Sequence, residues 1–198
     1  MTMSPYAGGM VSQETTGAAP RQAPALADAI VELLNSRPHA TPLTPDTLAD
    51  PEIAERILRP FREPALPPPS EGDIAQLRRL RDSLVDVVSQ PGAEAAKAAW
   101  ADVNETTATT AFRHVFDGDG RVALLQVSGP PVVGAVVRAV AELVAQGQFS
   151  RIRVCANADC SHAFYDTTRS RTQRWHSYEM CGNRTNVAAY RARARRSV

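Results

Sequence analysis

The chain is poor in cysteine, with three in 198 residues, all between positions 155 and 181. An odd number, in a chain with no export signal, argues against a disulfide framework. Residues 1–24 lack a basic segment followed by an apolar run, so they do not read as a signal peptide. No apolar stretch approaches the length needed to span a bilayer. These absences together predict a cytoplasmic protein. Enzyme signatures are missing too. There is no glycine-rich phosphate loop, no nucleophile elbow and no metal motif with a vacant position. Ser, His and Asp all occur, but no motif gathers them, and a catalytic role is not expected.

What the chain does have is a thirty-residue stretch, from Cys155 to Arg184, that holds every cysteine. Cys155 and Cys160 are separated by four residues, as are His176 and Cys181, with a basic loop between the pairs. Two short ligand pairs joined by a loop are how a small zinc site is built. The segment offers little more than Phe164, Tyr165, Trp175 and Tyr178 for a core, so a metal must supply folding energy. Three thiolates and one imidazole would close a four-coordinate structural site and leave no place for a catalytic water. His162 is the rival fourth ligand, and His176 is preferred because it restores the symmetric spacing. Three inert buried cysteines are the bland alternative, but core cysteines seldom fall in two spaced pairs within a polar segment.

Charge is divided along the chain. Residues 151–198 carry ten Arg against three Asp and Glu, a net +7, and the remainder is −6. An acidic body with a basic end is the asymmetry of a protein that presents one end to a polyanion.

The sequence CGNR at 181–184, preceded by Arg169, Arg171, Arg174, Trp175 and Ser177 in an RxRxxRWxS pattern and by a C-x4-C pair, resembles the CGNR-type zinc finger. The likeness is specific over residues 152–195 and looser over 25–150. That finger usually ends bacterial proteins whose N-terminal α/β (ABATE-like) domain is described as a stress-induced transcription regulator. The resemblance implies one structural zinc and DNA binding by the finger. The family normally has a cysteine after the tryptophan, where this chain has His176. The exchange preserves zinc competence and leaves the site one charge less negative.

The rest of the chain predicts an α+β fold in three parts. Residues 1–24 read as disordered, 25–150 as a helical regulatory domain with a small antiparallel hairpin, and 151–198 as a treble-clef-like or knuckle-type zinc module. Leu26, Ile30, Leu33 and Leu34 fall at helical spacing before Pro38. Nine of the fifteen prolines lie in 38–69, which excludes long helices there. Thr44-Pro45 and Asp50-Pro51 each read as a cap before a short helix. Ser70 with Asp73 resembles a capping box that opens an amphipathic helix, with Arg78, Arg79 and Asp82 on its solvated face. Pro91-Gly92 should end it, and an Ala-rich helix with Trp100 in the packing should follow. Asp117-Gly118-Asp119-Gly120 between β-branched runs predicts a hairpin that carries His114 as a bystander. Pro130-Pro131 then opens a broad apolar helix ended by Gly147, and Phe149 to Val154 should be extended.

After Cys181, Gly182 should allow a tight turn and Thr185 should cap a helix to about Arg195. Arg184, Arg191, Arg193, Arg195 and Arg196 decorate that helix, and Arg169, Arg171 and Arg174 line the loop. The planar guanidinium fork suits phosphate. Asn183, Asn186 and Arg191 are the candidates for reading base edges. Arg169 could alternatively pair with Asp166. Two other functions fit the pattern: a zinc-stabilised protein adaptor, and a redox sensor whose thiolates release zinc on oxidation.

Overall fold

The structure is a computed structural model that describes residues 22–89 and 93–196. The expected disorder of residues 1–24 falls largely outside that range, as does the Pro91-Gly92 break. The fold is α+β. Among the described residues, six helices are joined by two separate two-stranded antiparallel sheets. Among the described residues no helix is long and apolar enough to cross a membrane.

Helix α1 (Ala25–Asn35) buries Ile30, Leu33 and Leu34 on the face its spacing predicts. After it the chain makes a proline-rich excursion. Asp46, and not Thr44, caps a single 3₁₀ turn at Thr47–Ala49 by accepting from the Leu48 amide. Thr44 instead exchanges hydrogen bonds with the His39 backbone. Asp50 caps α2 (Pro51–Leu58) through the amides of Glu52 and Ile53, with proline at the first helical position. Ser70 and Asp73 form the reciprocal box that opens α3 (Glu71–Ser89).

Helix α3 buries Leu77, Leu80 and Leu84, each worth about 2 kcal/mol of burial. It also buries Arg81, which is 2% exposed. Its guanidinium grips both Asp46 oxygens at 3.0 and 2.9 Å and reaches Ser36 Oγ at 3.1 Å. Asp82 takes the remaining Nε–H, and Arg78 leans on Asp46 at 3.4 Å. The face expected to be solvated is therefore half structural. A helical period shows that these residues share a side, but not that a proline-rich loop folds back to meet them.

Helix α4 (Ala93–Thr106) packs on α3, and Trp100 meets Phe149 with ring centroids 5.4 Å apart. Strands β1 (Ala111–Phe116) and β2 (Val122–Ser128) form the expected hairpin, but neither face of it is covered. Helix α5 (Pro131–Ala145) buries Val132, Val133, Val136, Val140 and Leu143 against α1 and α3. Phe149–Arg151 is a 3₁₀ turn where extended chain was expected, and only Ile152–Val154 is strand β3. Strand β3 pairs with β4 (Ala163–Tyr165), and Ile152 and Ala163 join the main core. The second hairpin is thus rooted in the helical body. Beyond it lie a five-residue π turn (Tyr178–Gly182) and α6 (Asn183–Arg196).

Candidate metal centre and nucleic-acid interface

The sequence spacing brings Cys155, Cys160, His176 and Cys181 to one point. Their ligand atoms all lie within 4.8 Å of one another. Cys155 directly follows β3, and its N–H donates to the His162 carbonyl. Cys160 follows a tight turn in which its amide bonds to Asn157 O and Ser161 takes a positive φ of 52°. Cys181 sits in the π turn, whose Ser177 accepts from the Met180 amide. Phe164 and Trp175 cover the cluster.

The donor set fits one structural zinc. His176 Nδ1 lies 3.4 Å from Cys160 Sγ and 3.7 Å from Cys181 Sγ. Ligand atoms on a zinc tetrahedron with ordinary Zn–S and Zn–N bonds would sit about 3.5–3.8 Å apart. The three cysteines carry no disulfide. Burial pushes the Cys160 thiol up to about 12, against the lowering hydrogen bond from the His162 amide, and the neighbouring thiols add to the rise. Thiols this crowded share the site as thiolates only when a cation balances them.

His162 has a different job. Its ring stands 4.7 Å from the His176 ring, but its nitrogens face the body. Nε2 lies 3.1 Å from Asn35 Nδ2, and Nδ1 lies 3.3 Å from His39 Nε2. Burial first, then the charges of His176, His39 and Arg37, pull His162 down to about 4. A neutral ring with hydrogen on Nδ1 fits every contact: it accepts from Asn35 and donates to His39, whose Nδ1 reaches Arg37 O at 2.8 Å. Asn35 also pairs with Ala163 as a strand residue would, donating to its carbonyl at 2.9 Å and accepting from its amide at 2.7 Å. Arg37 reaches Ser161 O, and the Thr41 amide reaches Asp159 O. The first knuckle is bolted to the end of α1 by these bonds. Nothing in the sequence pattern marked Asn35 or His39 for this role.

The arginine loop has its own frame, and Asp166 is its hub. Its carboxylate is fully buried and accepts from the Thr168 amide and hydroxyl, the Gln173 amide and Arg153, at 2.9, 2.5, 3.0 and 3.4 Å. Burial works to raise this carboxyl, but those hydrogen bonds outweigh it and hold it below the usual carboxylate range. Arg153 and the buried Arg151 bind loop carbonyls of Arg171, Gln173, Asp166 and Thr168. Among the described residues the alternative Arg169–Asp166 pair does not form, and Arg153 takes that place, because β3 faces β4 across the hairpin and brings residue 153 to the carboxylate.

Arg169, Arg171 and Arg174 are exposed, and Arg174 stacks over Trp175 at 5.2 Å from the ring centre. Asn183, Arg184, Asn186, Arg191 and Arg193 are exposed along α6, with Asn186 3.4 Å from the Tyr178 hydroxyl. The side chains of Arg195 and Arg196 lie outside the described residues. Thr185 is inside α6 and donates to Cys181 O, so the helix is started by the π turn and not by a threonine cap. Gly182 serves close packing: a Cβ there would stand 2.7 Å from the Tyr178 ring and 3.2 Å from Trp175.

Two family models match successive parts of the chain. A family model, ABATE, described as "Putative stress-induced transcription regulator", matches residues 27–147, more than half of the chain. The chain belongs to the ABATE family. A second model, the CGNR zinc finger, matches residues 151–194. No curated protein matches the chain. The ABATE match covers nearly all of α1 through α5 with the first hairpin, and the finger match contains all four ligands and most of α6. Neither model is of an enzyme. This ABATE protein is therefore a zinc-finger member of a regulator family.

Proposed function

We propose that the protein is a bacterial, cytoplasmic transcription regulator that binds DNA with its C-terminal module. The ABATE domain would receive a signal, and residues 151–198 would read the nucleic acid. The observation that carries this reading is the exposure of eight candidate residues on two elements beside a closed Cys3His cluster: Arg169, Arg171, Arg174, Asn183, Arg184, Asn186, Arg191 and Arg193. A closed donor set favours a structural task for the metal over a catalytic one.

In this mechanism the zinc fixes where the π turn and α6 leave the knuckle. The Asp166 frame fixes the loop. Ordering entropy is then spent in folding and is not charged against binding. Arginines of the loop and helix meet phosphates, while Asn183, Asn186 and Arg191 are the side chains offered to base edges. Arg195 extends the same helix. With about six phosphate contacts, the log affinity should fall with log salt at a slope near −5.

The deciding experiment measures zinc stoichiometry and DNA affinity over a salt series, for the wild type and Cys181→Ser. One zinc per chain, a steep salt slope and loss of binding in the variant are expected. Zinc with no salt-sensitive DNA binding would replace this reading with the protein adaptor. Loss of zinc at low peroxide, with a matching change in affinity, would favour the redox sensor.

A further inference from the structure

The first hairpin is the most exposed apolar element among the described residues. Six of the twelve large exposed hydrophobic residues there belong to it: Val115, Phe116, Val122, Leu124, Leu125 and Val127. Phe116 is 74% exposed and Val122 57%. Together they show on the order of 500 Å² of apolar side chain, against ~800 Å² per partner in a standard interface. A two-stranded ribbon is marginal in water, and it becomes stable with further strands or a helix against its face.

The ribbon is nevertheless firmly built. At its tip the Asp117 carboxylate accepts from the amides of Asp119 and Arg121, at 3.0 and 2.8 Å. At its base Gln126 Nε2 donates to the carbonyls of Ser128, Gly129 and Pro130, each at 3.0 Å. Gly134 of α5 makes room for that amide, since a Cβ there would stand 2.0 Å from Gln126 Oε1. Ser128 Oγ ties the base to Thr109 O.

Its two edges are not alike. Arg138 of α5 donates to Leu124 O at 3.4 Å, so the outer edge of β2 faces the body. The Asp117 amide bonds to Arg121 O, and antiparallel alternation then turns the backbone groups of Phe112, His114 and Phe116 outward from β1. Among the described residues no backbone hydrogen bond joins β1 to anything but β2. Strand β1 is the open edge.

That edge is complementary to itself. Arg113 and Asp117 lie two residues either side of Val115. If two copies met antiparallel about a two-fold axis at Val115, each Arg113 would oppose Asp117 of the second copy. His114 would oppose Phe116, and both turn backbone donors and acceptors outward. We infer that β1 pairs with β1 of a second copy of this chain, joining two hairpins into one four-stranded antiparallel sheet. The inference does not depend on DNA binding. It gives an isologous dimer, the commonest closed assembly.

The test uses the zinc-loaded full chain. Light scattering at about 50 μM, above the micromolar range of a modest interface, should give twice 21.4 kDa. Phe116→Asp should give a monomer with unchanged zinc content and helical circular dichroism. Val115→Cys places two thiols at the axis, where a non-bonded pair has Cα atoms ~4.5 Å apart, within disulfide reach. It should cross-link under mild oxidation, with the native thiols held by zinc. A monomeric wild type overturns the inference. So does a dimer that survives Phe116→Asp. Should Phe116→Asp misfold, a Val115→Cys chain that fails to cross-link overturns it as well.

Discussion

The helical body and the zinc module solve one problem with different physics. The body packs Ile30, Leu33, Leu34, Leu77, Leu80, Leu84, Val133, Val136 and Leu143 into a single core. The zinc module has Cys155, Phe164 and Cys181 as its buried apolar cluster, with Cys160 and Trp175 beside it. Apolar burial at about 25 cal/mol per Å² can hold the first and cannot hold the second. The module instead uses four ligands and the hydrogen bonds of one buried carboxylate. The border between the two regimes runs inside the finger, because Ile152 and Ala163 belong to the body's core while Phe164 belongs to the metal's. A fragment starting near residue 150 would lose Asn35, His39 and Arg37, which hold the first knuckle.

Removing zinc should separate the regimes most sharply. Structural zinc contributes about 10–16 kcal/mol of apparent binding free energy. Chelation, or Cys181→Ser, is expected to melt the π turn and α6 while α1–α3 and α5 keep their amide protection. Hydrogen exchange followed by mass spectrometry reads both regions at once. If the whole chain opens together, the division drawn here is wrong. The converse perturbation is Leu84→Ala, at a fully buried position of α3. It should cost about 2–5 kcal/mol and lower the melting temperature of the body, while zinc stoichiometry at room temperature stays at one.

A finer cut tests packing within the module. Gly182→Ala would press a methyl onto the rings of Tyr178 and Trp175. A cost of about 1–3 kcal/mol is expected for such overpacking, seen as weaker zinc retention against a competing chelator. The body's unfolding midpoint should not move. Equal loss in both regions would mean that the rings also brace the core.

The sequence made the metal ligands legible because zinc demands particular atoms at short spacings, and Cys155, Cys160, His176 and Cys181 obey that demand locally. The caps at Asp50 and Ser70, the Asp117–Gly120 turn and the apolar face of α5 were legible for the same reason: each is decided within a few residues. Contacts across long separations were not. Arg81 meets Asp46 over 35 residues, and Asn35 meets Ala163 over 128. Both use polar groups whose local pattern looks like ordinary surface. The choice between His176 and His162 lay at that border. Spacing favoured His176, but what removes His162 from contention is Asn35 and His39, far away in the chain. Asp166 shows the same limit at shorter range. The alternative partner that the sequence offered was its basic neighbour Arg169, and the hairpin register supplied Arg153 from the opposite strand.

Asp166 also gives the mildest and most discriminating prediction. Its carboxyl is depressed in the folded chain, so its stabilisation is fully present above the unfolded carboxylate value and lost as pH falls through the folded one. At neutral pH the loop from Thr168 to Gln173 should therefore be ordered, and it should loosen on acidification below the ordinary carboxylate range. Acid also strips zinc from thiolates and imidazole, so the acid arm alone decides nothing. Asp166→Asn isolates the effect. It removes the charge at pH 7 with the metal ligands intact, and an amide can accept from Thr168 or Gln173 but not hold Arg153 as an ion pair. The amides of Thr168 and Gln173 should exchange faster in the variant at pH 7, the difference from wild type should shrink toward acid pH, and zinc content should stay at one. If the loop is as protected in Asp166→Asn as in the wild type at pH 7, the frame is held by the metal after all. The module would then have one source of order and not two.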